Sequence, residues 1–148
     1  MAKPKLIVFL DKDNMLLSAT AEQVFRLLLE KNGLRNITIV SAGETNLGFI
    51  ARDEGMDAVL AKDKLQISGL VNPLSQSLLE YADWVVCMDN ESRESHQIRR
   101  MDWSGKRLFD FPTKDSLAKL VVTYPLDYVN IHNEIEAGCL SILRELEG

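Results

Sequence analysis

The chain has 148 residues, enough for one domain with a core of its own. Hydrophobic residues make up 46% and charged residues 26%, the balance of a soluble globular protein, and 17 basic against 22 acidic residues leave a net charge of −5. That charge excludes the basic stripe of a nucleic-acid surface and a polybasic membrane handle, and no apolar run reaches the roughly 20 residues that span a bilayer.

Leu6 to Leu10 (LIVFL) is a continuous apolar run, as expected of a central parallel strand covered on both faces. Asp11 to Leu17 (DKDNMLL) follows as a loop, and Ser18 is placed to cap a helix carrying Ala21, Val24, Phe25, Leu28 and Leu29 up to Gly33. A loop between a strand and a helix N-terminus gathers backbone N–H groups at one spot, a common site for an anion. Asp11, Lys12, Asp13, Asn14, Met15, Leu16 and Leu17 are therefore the first residues to question for chemistry.

Ile37 to Val40 (ITIV) predicts a second strand, closed by Ser41-Ala42-Gly43. Leu47 to Glu54 predicts a helix, and Met56 to Gly69 is less regular. Pro73 is expected to open a helix with Leu74, Leu78, Leu79 and Tyr81. Trp84 to Met88 (WVVCM) is a third buried strand ending at Asp89, followed by a polar helix over Glu91 to Arg100. Arg107 to Phe109 is a short fourth strand. Phe111 to Pro125 is expected to be loop with a turn of helix near Leu117 to Leu120, and Tyr128 to Leu146 is a final amphipathic helix.

Strands alternating with helices imply a parallel sheet with helices on both faces, an α/β domain over residues 1–148 without an internal repeat or linker. Ligands of such sheets bind beyond the carboxyl ends of the strands. Asp11, Ser41 and Asp89 each follow an apolar strand, so they should share one rim. Cys87 and Cys139 lie in apolar patterns and read as buried free thiols rather than a disulfide or metal pair. The start MAKPKLIVFLDKD lacks a long apolar core and a small-residue cleavage site, so it does not read as a signal peptide; the expected location is cytoplasmic. His96 and His132 are expected to be surface or cap residues, Trp84 a core residue, and Trp103 a loop residue open to solvent.

The AEQVF, IVSAG, ISGL, LLEYADWVVCMDNES, RLFDFP and IEAGC segments, in this order and spacing, resemble the low-molecular-weight protein tyrosine phosphatases and their arsenate-reductase relatives. The resemblance covers nearly the whole chain and implies a three-layer α/β/α fold with a four-stranded parallel sheet. It also implies a catalytic signature of a nucleophilic Cys, five residues, then an Arg and a Ser, with a general-acid Asp before a Pro near the C-terminal helix. Aligned back from Phe25, the Cys position holds Asp11 and the Arg position Leu17; Asn14 and Ser18 match, and a Gly of the usual loop is Asp13. The Asp position is held by Tyr124, with Asp127 close by but out of register.

Phosphoryl transfer needs a nucleophile, stabilised equatorial oxygens and a protonated leaving group. Asp11 puts a carboxylate where a dianion would sit, and Leu17 removes the bidentate clamp. Two like charges ~4 Å apart repel by about 1 kcal/mol in water and about 4 at a surface-like dielectric. The expectation is a catalytically inactive member, a pseudophosphatase without a cofactor, whose role is binding or regulation of an unknown protein partner. If Asp13 needed a left-handed backbone in place of Gly, the strain of ~1 kcal/mol would favour a rearranged loop.

One alternative stays open. Asp11-Lys12-Asp13 after LIVFL also looks like the first motif of haloacid-dehalogenase-like phosphatases, in which the first Asp is a covalent nucleophile and Mg²⁺ bridges to the substrate. Asp11, Asp13 and Asp89 would then be the metal-side carboxylates.

Overall fold

The computed structural model describes residues 3–45 and 48–148. Four strands form one parallel sheet in the order β2-β1-β3-β4: β1 (Leu6–Asp11), β2 (Thr38–Gly43), β3 (Trp84–Cys87) and β4 (Arg107–Asp110). The period of two along β1 divides its side chains between two cores. Ile7 and Phe9 enter the larger one, with Val86 and Met88 from the β3 segment. Helices α1 (Leu17–Lys31) and α7 (Tyr128–Glu147) cover that face through Val24, Phe25, Ile135 and Ile142. Val8 and Leu10 turn to the other face with Ala42, Val85 and Cys87. There they meet Leu79 of α3 (Gln76–Tyr81) and Ile98 of α5 (His96–Arg100). Each large apolar side chain buried in this way contributes about 1.5–3 kcal/mol. Phe9 also packs edge-on against Phe25 and Phe111, with centroids 5.5 and 6.4 Å apart.

The three-layer fold and the four strands are as the sequence predicts, but several element boundaries differ. Leu47 of the expected Leu47–Glu54 helix lies outside the described residues, and the described residues 48–53 form no helix. Ala51 instead makes an antiparallel bridge to Leu70, and a 3₁₀ turn at Glu54–Met56 leads into α2 (Asp57–Leu60). Pro73 does not open α3. It bridges to Gly43, the Leu74 N–H donates to the Gly43 carbonyl (2.8 Å), and Ser75 is the N-cap through its bond to the Leu78 N–H. The polar segment after β3 is two short helices, α4 (Asn90–Arg93) and α5, because Ser95 caps the second. The turn near Leu117 is a full helix, α6 (Lys114–Leu120).

Trp84 is buried as expected, whereas Trp103 is only half exposed and donates its indole N–H to the Ile98 carbonyl at 3.1 Å. His132 is buried among α7's core residues rather than at the surface; His96 is exposed. Among the described residues no helix is long and apolar enough to cross a membrane.

The end of β2 is built to admit the loop that follows β1. A Cβ on Gly43 would stand 2.5 Å from the carbonyl carbon of Asp13 and 2.8 Å from the amide nitrogen of Asn14. These are backbone atoms and cannot rotate away. Gly43→Ala is expected to destabilise the fold by about 1–3 kcal/mol through overpacking. Urea denaturation measures it, and an unchanged midpoint would show that the loop does not rest on this strand end.

Candidate functional site

The carboxyl ends of β1 and β3 open onto a pocket of about 570 Å³, with the Asp11–Leu17 loop as its floor. The loop prolongs the pairing of β1 with β2: the Asp11 and Lys12 carbonyls accept the Glu44 and Thr45 N–H groups at 2.9 and 2.8 Å. It then turns at Asn14, whose φ of +61° is left-handed. The residue in the strained conformation is thus Asn14, a type that tolerates it, and Asp13 carries no such strain.

Asp11 is buried, and its carboxylate faces inward. One oxygen accepts the Asn14 N–H at 2.5 Å and the other the Ser18 N–H at 2.9 Å. The Met15 N–H goes to Asp13 (3.0 Å) and the Lys12 N–H to Asp89 (2.9 Å). Four backbone donors of the loop and helix start are therefore engaged by the chain's own carboxylates. Burial, reinforced by the charges of Asp89 and Asp13, pushes the Asp11 carboxyl up to about 7 against the two N–H bonds that lower it.

Ser18 is not the helix cap the sequence suggests. The first helical residue is Leu17, Leu16 holds the cap position without a side-chain bond, and Asp11 satisfies the Ser18 N–H from seven residues back. The Ser18 hydroxyl instead joins Asn14, which is fully buried and fully bonded. Asn14 Nδ2 donates to Ser18 Oγ (2.8 Å) and Ser41 Oγ (3.0 Å). Its Oδ1 accepts the Asn72 N–H (2.7 Å) and the Arg52 guanidinium (2.8 Å). Ser41 lies within β2, not after it, and passes the network on to Glu22 at 2.8 Å.

Leu17 contributes to the pocket wall and to the main core, and Tyr124 stands at the mouth, 77% exposed. Asp127 caps α7 by accepting the Asn130 N–H, so its carboxylate is spent on the helix. Asp89 is the N-cap of α4, accepting the Ser92 N–H at 3.0 Å besides that of Lys12. Asp11, Asp13 and Asp89 do share a rim, but each is turned to backbone donors. Among the described residues no group of three or more His, Cys, Asp and Glu side chains is placed to hold a metal ion.

The two thiols are elsewhere. Cys87 is buried at the end of β3 and burial pushes it up to about 12; Cys139 is buried on α7 and also raised by burial.

Sequence reasoning missed Arg52, Asn72, Asp53 and Asp115. Arg52 fell inside a helix that does not form, and Asn72 reaches Asn14 through its backbone N–H, which carries no sequence signal, while its side-chain amide donates to the Ser41 carbonyl at 2.9 Å. Asp53 lines the pocket and accepts the Tyr128 hydroxyl at 2.8 and 2.9 Å, a contact possible because Gly55 leaves room for the ring. Burial and this carboxylate raise the Tyr128 phenol above its ordinary value. Asp115 could have been marked as an acid at the start of α6.

No curated protein matches the chain in sequence. Solved structures do match in fold. A protein tyrosine phosphatase from Entamoeba histolytica with Hepes in its active site superposes with a TM-score of 0.77 at 17% identity, covering 96% of each chain. A low molecular weight protein tyrosine phosphatase from Bacillus subtilis gives 0.74 at 20% identity, over 96% of this chain and 97% of that one. The drosophila arginine phosphatase gives 0.74 at 16% identity, over 99% of both. The sequence profile described as low molecular weight phosphotyrosine protein phosphatase matches residues 6–147. Spanning all four strands and the closing helix, that match means the chain belongs to the low-molecular-weight phosphotyrosine protein phosphatase family.

Proposed function

We propose that this chain is a pseudophosphatase: it keeps the family's fold and a pocket at the strand ends, but binds there rather than transferring phosphoryl groups. The observation that carries the reading is the position of the Asp11 carboxylate. It accepts two backbone N–H groups from inside the loop, so it occupies the donors that an incoming phosphate would need. The resemblance assigns Asp11 to the nucleophile's position, Leu17 to the arginine's and Tyr124 to the acid's. A buried leucine offers phosphoryl oxygens nothing, and a tyrosine hydroxyl is a weaker acid than a carboxyl by about six pK units. The buried, protonated thiols of Cys87 and Cys139 supply no substitute nucleophile.

The test is hydrolysis of a small aryl phosphate with and without Mg²⁺, beside an Asp11→Asn control. No turnover above the protein-free rate is expected in any condition. Mg²⁺-dependent turnover that disappears in Asp11→Asn would overturn the proposal in favour of an aspartyl-phosphate mechanism of the haloacid-dehalogenase kind.

A further inference from the structure

The pocket has the wrong sign for a phosphate. Six acidic residues line it, Asp11, Asp13, Asp53, Asp89, Glu91 and Asp115, against only Lys12 and Lys114; the Asp11 carboxyl is turned inward to the loop, which leaves five to set the sign. The Lys114 ammonium already lies 3.1 Å from Asp110, which is not part of the wall. Glu91 and Asp115 are exposed and enter none of the ion pairs among the described residues, so both face the opening uncompensated.

The rest of the wall is apolar. Met15, Leu17 and Met88 line one part, and Ala118, Val121 and Leu126 continue it. Val122 and Tyr124 carry this surface outwards at the mouth, 73% and 77% exposed. An apolar wall beneath an acidic rim suits a group with a hydrocarbon stem and a positive head, the build of an arginine or lysine side chain. The apolar mouth gives the neighbours of such a side chain something to rest on, which a free amine would leave uncovered.

We propose that this pocket receives a basic side chain, arginine or lysine, presented by an apolar-flanked segment of a partner polypeptide. The inference rests on the reading of the site as one that does not turn over phosphate. It reverses the charge of the ligand while keeping the place where the fold binds it.

The experiment titrates the whole chain with four capped peptides by calorimetry: Gly-Leu-Arg-Leu-Gly, its lysine and citrulline counterparts, and one with phosphotyrosine at the centre. Citrulline has the shape of arginine without the charge. The arginine or lysine peptide is expected to bind at least about tenfold more tightly than the citrulline one, and to weaken as salt is raised. Glu91→Gln combined with Asp115→Asn should remove most of that difference; both positions are exposed, so the variant keeps its fold. Equal binding of charged and neutral peptides, binding by none of them, or preference for phosphotyrosine would overturn the proposal. Free acetyl-arginine amide binding as tightly as the peptide would overturn the polypeptide as its source. Aryl phosphate hydrolysis measured on the same sample separates the two claims: turnover overturns the pseudophosphatase reading, whereas equal peptide binding without turnover overturns this inference alone.

Discussion

Asn14→Ala is expected to lower stability by about 4 kcal/mol, the largest loss for any single side chain of the loop. The substitution removes all four bonds of a fully buried amide. It leaves the Ser18 hydroxyl and the Asn72 N–H without their partner, at about 1–3 kcal/mol for each donor or acceptor stranded away from water, while Ser41 keeps its bond to Glu22. It also places an alanine at a φ of +61°, where the Cβ adds strain of about 1 kcal/mol. Asn14→Gly separates the two effects. It relieves the backbone but not the lost bonds, so it should recover only about 1 kcal/mol. Thermal melts read both; a chain of this size loses roughly 2–4 °C per kcal/mol. If Asn14→Gly were as stable as the wild type, the side-chain network would contribute nothing and the backbone turn would be the whole role of this residue.

The second large effect is a dependence on pH. In the folded chain Asp11 keeps its proton up to about pH 7, but in the unfolded chain it releases it near 3.8. Between those values the folded state binds more protons, so stability falls as pH rises through the interval and levels off above it. The full difference is on the order of 4 kcal/mol, since each pK unit is worth about 1.4. Asp11→Asn has no proton to release and should lack this slope. Its amide cannot accept from both N–H groups, but that loss does not depend on pH and shifts only the level. Urea unfolding of both proteins at several pH values between 4 and 8 gives the comparison. The variant should gain steadily on the wild type as pH rises; parallel curves would mean that the two backbone donors hold Asp11 ionised throughout.

What the sequence disclosed and what it withheld divide along the range of the interactions. LIVFL and WVVCM announce buried strands because burial acts on nearly every residue of the run, ITIV announces a strand by its β-branched residues, and the sheet order then places their ends on one rim. The helix after the loop was placed correctly, yet its cap was not. Local rules look three residues ahead of a Ser, and the donor is met instead by Asp11 across the whole turn. Asp11 itself was legible as a departure from the family's pattern, while its inward orientation was not, because sequence spacing says nothing about where a carboxylate points. Arg52 and Asn72 escaped for a similar reason. They reach Asn14 from 38 and 58 residues away, and no periodicity links them. The helix expected to open at Pro73 starts only at Gln76, because Pro73 and Leu74 pair with Gly43 instead, a tertiary contact that overrides a good local start signal.

The locations of the two sulfhydryls set how this molecule responds to its chemical surroundings. A thiolate at the mouth of a pocket is attacked by peroxide and alkylating agents, whereas a carboxylate is inert to both. Here the loop carries Asp11, and Cys87 and Cys139 are buried with their protons held on. Oxidants that silence a cysteine enzyme through its thiolate therefore find no such thiolate in this loop. Acidity, acting through Asp11, is the variable to which the loop responds.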